Sequence, residues 1–387
     1  MSGIVLSAAV RQNLLSLQGT ADLLAQTQTA LATGKKVNSA LDNPTNFFTA
    51  QGLDNRASDI GNLLDSIGNG VQILQAANTG LTSLQGLVDS AKSIANQVLQ
   101  APVGYSTKST VTSTVLGGTA ANLVDGTTIK SGDVLAIAAT GGGTATSITF
   151  GANESLAQLN TALASNNLIA SIDSSNNLVI TTTNDAASST IGAITITQSG
   201  GSTLALSAGS APVADPVSQA TRTNLVNQYN AVITQIDNTA QDASFNGVNL
   251  LNGDSLKLTF DETGKSTLSI TGVTYNSSGL GLAQLTVGTD FLDNSSANKV
   301  LTKLSAASTS LRSEASALGS NLTVVQIRQD FNKNLINVLQ TGSSNLTLAD
   351  SNEEAANSQA LSTRQSIAIS ALSLANQSQQ SVLQLLR

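Results

Sequence analysis

The chain of 387 residues contains no cysteine, no histidine and no tryptophan. Without thiols there can be no disulfide, no thiolate nucleophile and no sulfur-ligated metal. Without imidazole there is no Ser-His-Asp arrangement, no histidine acid–base chemistry and no HExxH zinc site. Charged residues make up 11% of the chain and aromatics 3%, so its mass lies in small aliphatics, Ser, Thr, Asn, Gln and Gly. A net charge of −7 argues against a phosphate-binding surface, and nucleic acid is not an expected partner. No apolar run is long enough to span a bilayer, so membrane insertion is not expected either. The opening "MSGIVLSAAVRQNLL" has a short apolar stretch with no basic residue ahead of it, which makes a poor cleavable signal peptide. Nothing in the chain suggests a cofactor, a metal site or a catalytic residue.

The few prolines act as punctuation. Pro44, Pro102, Pro212 and Pro216 all fall outside the segments whose periodicity reads as helix interior or central strand. Between them, apolar spacing predicts helices. Over 3–33 the residues Val10, Leu14, Leu17, Ala21, Leu24 and Leu31 alternate spacings of four and three, with Gln28 interrupting, as in a heptad seam. Leu6, Leu15 and Leu23 add a second stripe beside it, and Gly34 with Lys35 and Lys36 supplies a stop. Residues 45–100 read as one long helix. Its seam runs Leu53, Ala57, Ile60, Leu64, Ile67, Val71, Leu74, shifts register between Asn78 and Leu84, and resumes through Val88, Ala91, Ala95 and Val98. Gly68, Gly70, Gly80 and Gly86 lie inside it and must be compensated by packing.

A further helix is expected at 216–241. Asp215 serves as its N-cap, Pro216 takes the first helical position, and Leu225, Tyr229, Val232 and Ile236 share a face. Another covers 296–341, with Leu304, Ala307, Leu311, Ala315, Leu318, Leu322 and Val325 on one side, and a terminal helix covers 351–387. The stretch 103–217 changes character. Period-two runs such as "TVTSTVL", "DVLAIAA", "TSITF", "LVITTT" and "AITIT" flank one short helical pattern at 154–166, which predicts a β-rich domain of β-β-α-β-β flavour. "LKLTFDETGKSTLSI" (256–270) reads as a hairpin turning at Gly264.

The expected fold is therefore mainly α with an inserted β-rich domain: nested long helices from both ends forming a coiled-coil bundle, a β-hairpin, and an outer α+β domain. The expected domains are 1–42 with 346–387, then 43–102 with 216–295 and 296–345, and finally 103–215. The end segment "SALSLANQSQQSVLQLLR" (370–387) is helix-forming, leucine-bearing and free of charge before Arg387. Each terminal helix is the natural partner of the other, yet both carry apolar faces wider than one seam covers. Copies from neighbouring chains would cover the remainder, and a head-to-tail contact that does not close generates a helical filament. The interface expected from these seams comprises Val10, Leu14, Leu17, Ala21, Leu24 and Leu31 with Leu372, Ala375, Val382 and Leu386.

Three motifs, in order, then carry a resemblance to bacterial flagellins. "TGKKVNSALDNP" (33–44) resembles the family's SGLRINSAKDDA signature through Gly34, Asn38, Ser39, Ala40 and Asp42. "SFNGVNLLNG" (244–253) resembles its FNGxxLL segment through Phe245, Asn246, Gly247 and Leu251. "LANQSQQSVLQLLR" (374–387) is similar to its ANQxPQxVLxLLR ending through Asn376, Gln377, Val382 and Arg387 among others, with Gln379 where the family has proline. The resemblance covers about 1–100 and 218–387. It implies an extracellular structural subunit of the flagellar filament, exported unfolded through the flagellar type III channel without a cleaved signal. It further implies terminal helices forming an inner tube, the next helices an outer tube, and a solvent-facing middle domain. Implied partners are further copies of the chain, an export chaperone, the filament cap and hook-junction proteins.

Two alternatives compete. A hook–filament junction protein would share the terminal helices, but the signature at 33–44 favours the filament. A carboxylate glycosidase in the β-rich domain would have to use Asp125, Asp133, Glu154, Asp173 or Asp185, and no spacing pairs any two of them. For the filament reading, Leu17→Asp is expected to leave a soluble chain with a folded middle domain that yields no sedimentable polymer.

Overall fold

The structure is a computed structural model that describes residues 8–385. It is mainly α-helical with an inserted β-containing region. Two compact units are distinguished. One comprises residues up to Gly70, the segment Lys257–Leu268 and residues from Val324 onward; the other comprises Val71–Leu256 and Ser269–Thr323.

The first unit holds α1 (Ala8–Thr33) and α6 (Ser351–Leu385), with the leading part of α2 (Pro44–Gln100) and the trailing part of α5 (Asn294–Thr347). Ala57 and Ile60 of α2 bury against Leu339 of α5, with Leu53, Leu335 and Ile336 packed at the margin. A hairpin of β9 (Ser255–Thr259) and β10 (Thr267–Thr271) turns at Gly264, whose φ of 72° suits glycine. The segment of this hairpin within the unit is tied to both helices. Arg56 Nε reaches Glu262 at 2.6 Å, and buried Asn332 donates from Nδ2 to the Phe260 carbonyl at 3.0 Å. Gly70 lies hard against the Leu258 side chain, so one of the interior glycines of α2 is there for close approach.

In the second unit α2 continues as a buried seam. Val71, Leu74 and Ala77 follow at two successive spacings of three, after which Leu81, Leu84, Val88, Ala91, Ala95 and Val98 alternate threes and fours. The phase change thus falls at 71–77 and not between 78 and 84. Ala77, fully buried, fills the seam at the shift. α4 (Pro216–Asp242) begins as expected, with the Asp215 side chain accepting the Ser218 N–H at 3.3 Å and proline in the first turn. Leu225, Tyr229 and Ile236 are buried on it. Val232 is only half-buried, and Ile233 takes the core position instead.

The β-containing region packs two three-stranded antiparallel sheets over one core. Strand β2 (Thr110–Val115) pairs with β6 (Asn177–Thr182), which pairs with β5 (Leu168–Ile172). In the second sheet β4 (Thr146–Thr149) and β7 (Ile194–Thr197) flank β3 (Val134–Ile137). Helix α3 (Leu156–Leu163) opens with a full capping box between Ser155 and Gln158 and buries Leu159 and Leu163 in the shared core with Val111, Leu135, Phe150 and Ile180. Alternation put five of these strands in view beforehand. β5 is not among them, because "LIASI" follows closely on a helix and is apolar at four of its five positions, so no polar–apolar alternation marks it. A short pair, β1 (Tyr105–Thr107) with β8 (Val213–Ala214), closes the entry and exit of the region.

Glycine gives a direct check on this packing. A Cβ on Gly80 would lie 2.6 Å from Ala243 Cβ and 2.7 Å from Leu251 Cδ1, whereas one on Gly86 would meet nothing within 4 Å. Gly80→Ala should therefore destabilise the chain by about 1–3 kcal/mol through overpacking. Gly86→Ala should stabilise it by about 1 kcal/mol through helix propensity. Denaturant unfolding of both full-length variants reads the opposite signs.

Candidate assembly interface

The residues joining α1 to α2 form a short, heavily bonded turn. Gly34 ends α1 at φ 69°, the left-handed region a C-terminal cap uses. Asn38 donates from Nδ2 to the Lys35 carbonyl at 2.9 Å. Asp42 Oδ2 accepts the N–H groups of Asn38 at 2.9 Å and Ser39 at 2.8 Å, and the Ser39 hydroxyl at 3.2 Å. The Asn38 N–H, and after it the Ser39 N–H, hold the Asp42 carboxyl below the usual carboxylate range. The same turn is stitched to the one between α5 and α6. Lys36 and Val37 donate to the Thr347 carbonyl at 2.8 and 3.3 Å, and Ala349 donates to the Gly34 carbonyl at 3.0 Å. Four of the five signature residues, Gly34, Asn38, Ser39 and Asp42, thus build one local structure, and through it α1 and α6 leave side by side and antiparallel.

What the two helices offer each other is modest. The α6 residues turned inward are Glu354, Ser358, Leu361, Gln365, Ala368, Leu372 and Ala375, spaced alternately by four and three. On α1 the matching positions are Val10, Leu17, Thr20, Leu24 and Thr27, with Ala21 and Ala30 at the margin. Thr20 and Thr27 are buried in the seam. The contact is therefore rich in small and polar side chains, and its phase lies between the two apolar stripes of α1. Of the residues expected at the interface, Val10 is buried within the chain, and Leu17, Ala21, Leu24, Leu372 and Ala375 are half-covered. Leu14 and Leu31 are exposed, as are Leu23 and Ile369. Within α1 and α6 the most exposed large apolar side chains are Leu15 at 70%, Leu374 at 68% and Ile367 at 64%. The side chain of Val382 lies outside the described residues, as do Leu386 and Arg387 altogether. A groove of about 580 Å³ beside Leu23, Leu361 and Ile367 marks where large apolar groups remain open.

The other signature residues act locally. Phe245 and Val248 exchange backbone bonds of 3.0 Å around Asn246 and Gly247, whose φ angles of 50° and 80° belong to a turn that asks for Asn-Gly. Asn376 and Gln377 are exposed on α6. Sequence reading missed two residues of the second unit. Asn249 donates from Nδ2 to the Ala240 and Gln241 carbonyls at 2.8 and 2.9 Å, which caps the end of α4. Arg222 is the largest fully buried side chain. Its guanidinium donates to the carbonyls of Val98, Ala101, Pro102 and Phe291 and to Asn294 Oδ1 at 2.6–3.3 Å. Three of these carbonyls end α2, where a cation also meets the negative end of the helix dipole. The signal was available: Arg222 is the one basic residue in α4.

The acids of the β-containing region work as turn locks. Asp125 Oδ1 accepts the N–H groups of Thr127, Thr128 and Ile129. Burial pushes its carboxyl up, but the Thr127, Thr128 and Ile129 bonds prevail and hold it at about 2. Asp133 accepts from Lys130 and Ser199, and Asp173 from Ser175 and Asn177. No group of three potential metal-ligating side chains occurs among the described residues.

Paired terminal helices, stitched linkers and a β-rich insertion define a coiled-coil structural protein. The sequence comparisons give the family. Residues 5–115 match the bacterial flagellin N-terminal helical region, and residues 301–386 match the bacterial flagellin C-terminal helical region. Flagellin FljM of Caulobacter vibrioides is 32% identical over 164 residues, covering 42% of this chain and 59% of that protein. Flagellin FljK of the same organism is 30% identical over 164 residues with the same coverage. Flagellin A of Rhizobium meliloti is 38% identical over 88 residues, 23% of this chain and 22% of its own. The chain thus spans 59% of the length of its Caulobacter relatives. It belongs to the bacterial flagellin family.

The Asp42 turn yields a measurable expectation. Because the folded carboxyl titrates below its ordinary 3.8, its contribution is complete above that value and is lost as pH falls through the folded value. Asp42→Ala should lower the protection factors of the Asn38 and Ser39 amides by about tenfold at neutral pH, and acidifying the unaltered chain through the folded value should lower the same protection factors, each taken against the intrinsic exchange rate at that pH.

Proposed function

We propose that the chain is a structural subunit that assembles head-to-tail into the helical filament of the bacterial flagellum, used for motility. The observation that carries this reading is the division of labour on the terminal helices. The pairing within one chain mixes Val10, Leu17, Leu24, Leu361 and Leu372 with threonine, serine, alanine and glutamine, while Leu15, Leu23, Ile367, Ile369 and Leu374 are left exposed outside it. A buried Leu or Ile stabilises by roughly 1.5–3 kcal/mol, so the larger gain is available only when further copies cover these faces. A contact between different faces of identical chains propagates without closing unless the rotation closes a ring. In this reading the terminal helices gain much of their stability on polymerisation.

The segments then take the roles implied by the family. Residues 1–42 and 346–387 line an inner tube, 43–102, 216–295 and 296–345 form an outer tube with the hairpin, and 103–215 face solvent. The subunit works outside the cell, in the flagellar filament. Its partners are further copies of itself, an export chaperone, the filament cap and hook-junction proteins. Enzymatic activity is not part of the proposal.

The discriminating variants are Leu15→Asp and Ile367→Asp, which alter exposed side chains and leave the intramolecular seam as it is. Each should abolish sedimentable filament while the thermal transition of the full chain in dilute solution stays unchanged. Filament at the unaltered yield from the double variant would overturn the proposal.

A further inference from the structure

The trailing part of α5 carries two seams. Val325, Asn332, Leu339 and Ser343 are buried against the chain. Val324, Ile327, Phe331, Asn334 and Val338 recur at alternate spacings of three and four, and all five are exposed. At about 3.6 residues per turn they fall on the side of the helix away from Asn332 and Leu339. Bulky side chains at heptad spacing are what one helix presents to another, and an uncovered apolar row of this kind marks a contact site.

The feature that matches this row stands on the leading part of α2, and charge is the first sign of it. Between Pro44 and Gly70 that helix carries Asp54, Asp59 and Asp65, and its one cation, Arg56, is taken by Glu262. No ion pair to those three acids occurs among the described residues. The α5 row is flanked by Arg328 and Lys333 against a single acid, Asp330. Shape agrees. Asp54, Ser58, Gly61, Asp65 and Gly68 alternate spacings of four and three over 15 residues, the same length as the α5 row. A Cβ on Gly61 would meet nothing within 4 Å, and one on Gly68 only Gln329 Nε2 at 4.0 Å, so packing inside the chain accounts for glycine at neither place. Glycine inside a helix sacrifices stability, and close approach of another element is what it offers in return.

We propose that the outward row of α5 docks on the Asp54–Gly68 face of α2 in a second copy of the chain. The contact rests on the reading of the chain as a filament subunit and adds an interface outside the terminal helices. Phe331 is the middle of one row and Gly61 the middle of the other, so the two meet whichever way the helices run. The ring then lies where Gly61 lacks a side chain, and Lys333 comes among the α2 acids. Because the two faces differ, every copy keeps one of each free for the next, and the contact propagates.

The test uses the full chain, which has no cysteine of its own. Chains carrying Phe331→Cys and chains carrying Gly61→Cys are mixed, polymerised and oxidised. A disulfide-linked dimer should form in the mixture and in neither variant alone. A dimer from Phe331→Cys alone would set two α5 helices together and overturn the proposal, as would filament from the mixture without the dimer. Gly61→Ala keeps the contact open to refutation if the thiol variants do not polymerise. It should raise the thermal midpoint of the dilute chain and raise the critical concentration for filament growth by about tenfold through overpacking. A lowered midpoint or an unchanged critical concentration would overturn the contact while the filament reading stands. Failure of the unaltered chain to polymerise would overturn both.

Discussion

The terminal helices are held together by a seam too small and too polar to use the apolar side chains they carry. That imbalance dominates the terminal pair. A heptad seam of Leu and Ile would have satisfied α1 and α6 within one molecule. Placing Thr20, Thr27, Ser358 and Gln365 there, with Leu15, Ile367 and Leu374 outside, weakens the intramolecular pair and leaves large apolar side chains uncovered by it. The stitched turns at Gly34–Asp42 and Thr347–Ala349 compensate locally. They fix the direction in which both helices leave without contributing to either apolar face.

Much of the fold could be read in advance, because its elements are long and their signals are local. Heptad spacing located the helices, the Asp215-Pro216 pair marked the start of α4, and Gly264 marked the hairpin turn. What escaped depended on contacts distant in the chain. The seam of α1 was assigned to its most apolar residues, since spacing alone shows which side chains are greasy and not which of them the partner takes. The phase change in α2 is read between Asn78 and Leu84 for the same reason, since a small residue such as Ala77 does not mark a seam by spacing alone. Ile233 replaced Val232 in the core because a helix face read from four residues is uncertain by one position. Arg222 stood out only as the one basic residue of α4, and neither its role nor that of Asn249 was legible because each depends on which carbonyls the fold brings to it.

The β-containing region obeys a different economy. Its acids sit in turns, where Asp125, Asp133 and Asp173 collect backbone N–H groups that loops cannot pair otherwise. Many of its outward strand positions are Ser and Thr, with Val115 and Ile169 as exposed apolar exceptions.

The Arg222 anchor has one consequence for the conditions the chain can endure. Every atom that accepts from its guanidinium is a neutral carbonyl or amide oxygen. None of them can be protonated in mild acid, and none is an exposed ion that dissolved salt would screen. A junction tied in this way should hold equally in brackish or fresh water and across wide swings of acidity, where a carboxylate clasp at the same position would loosen.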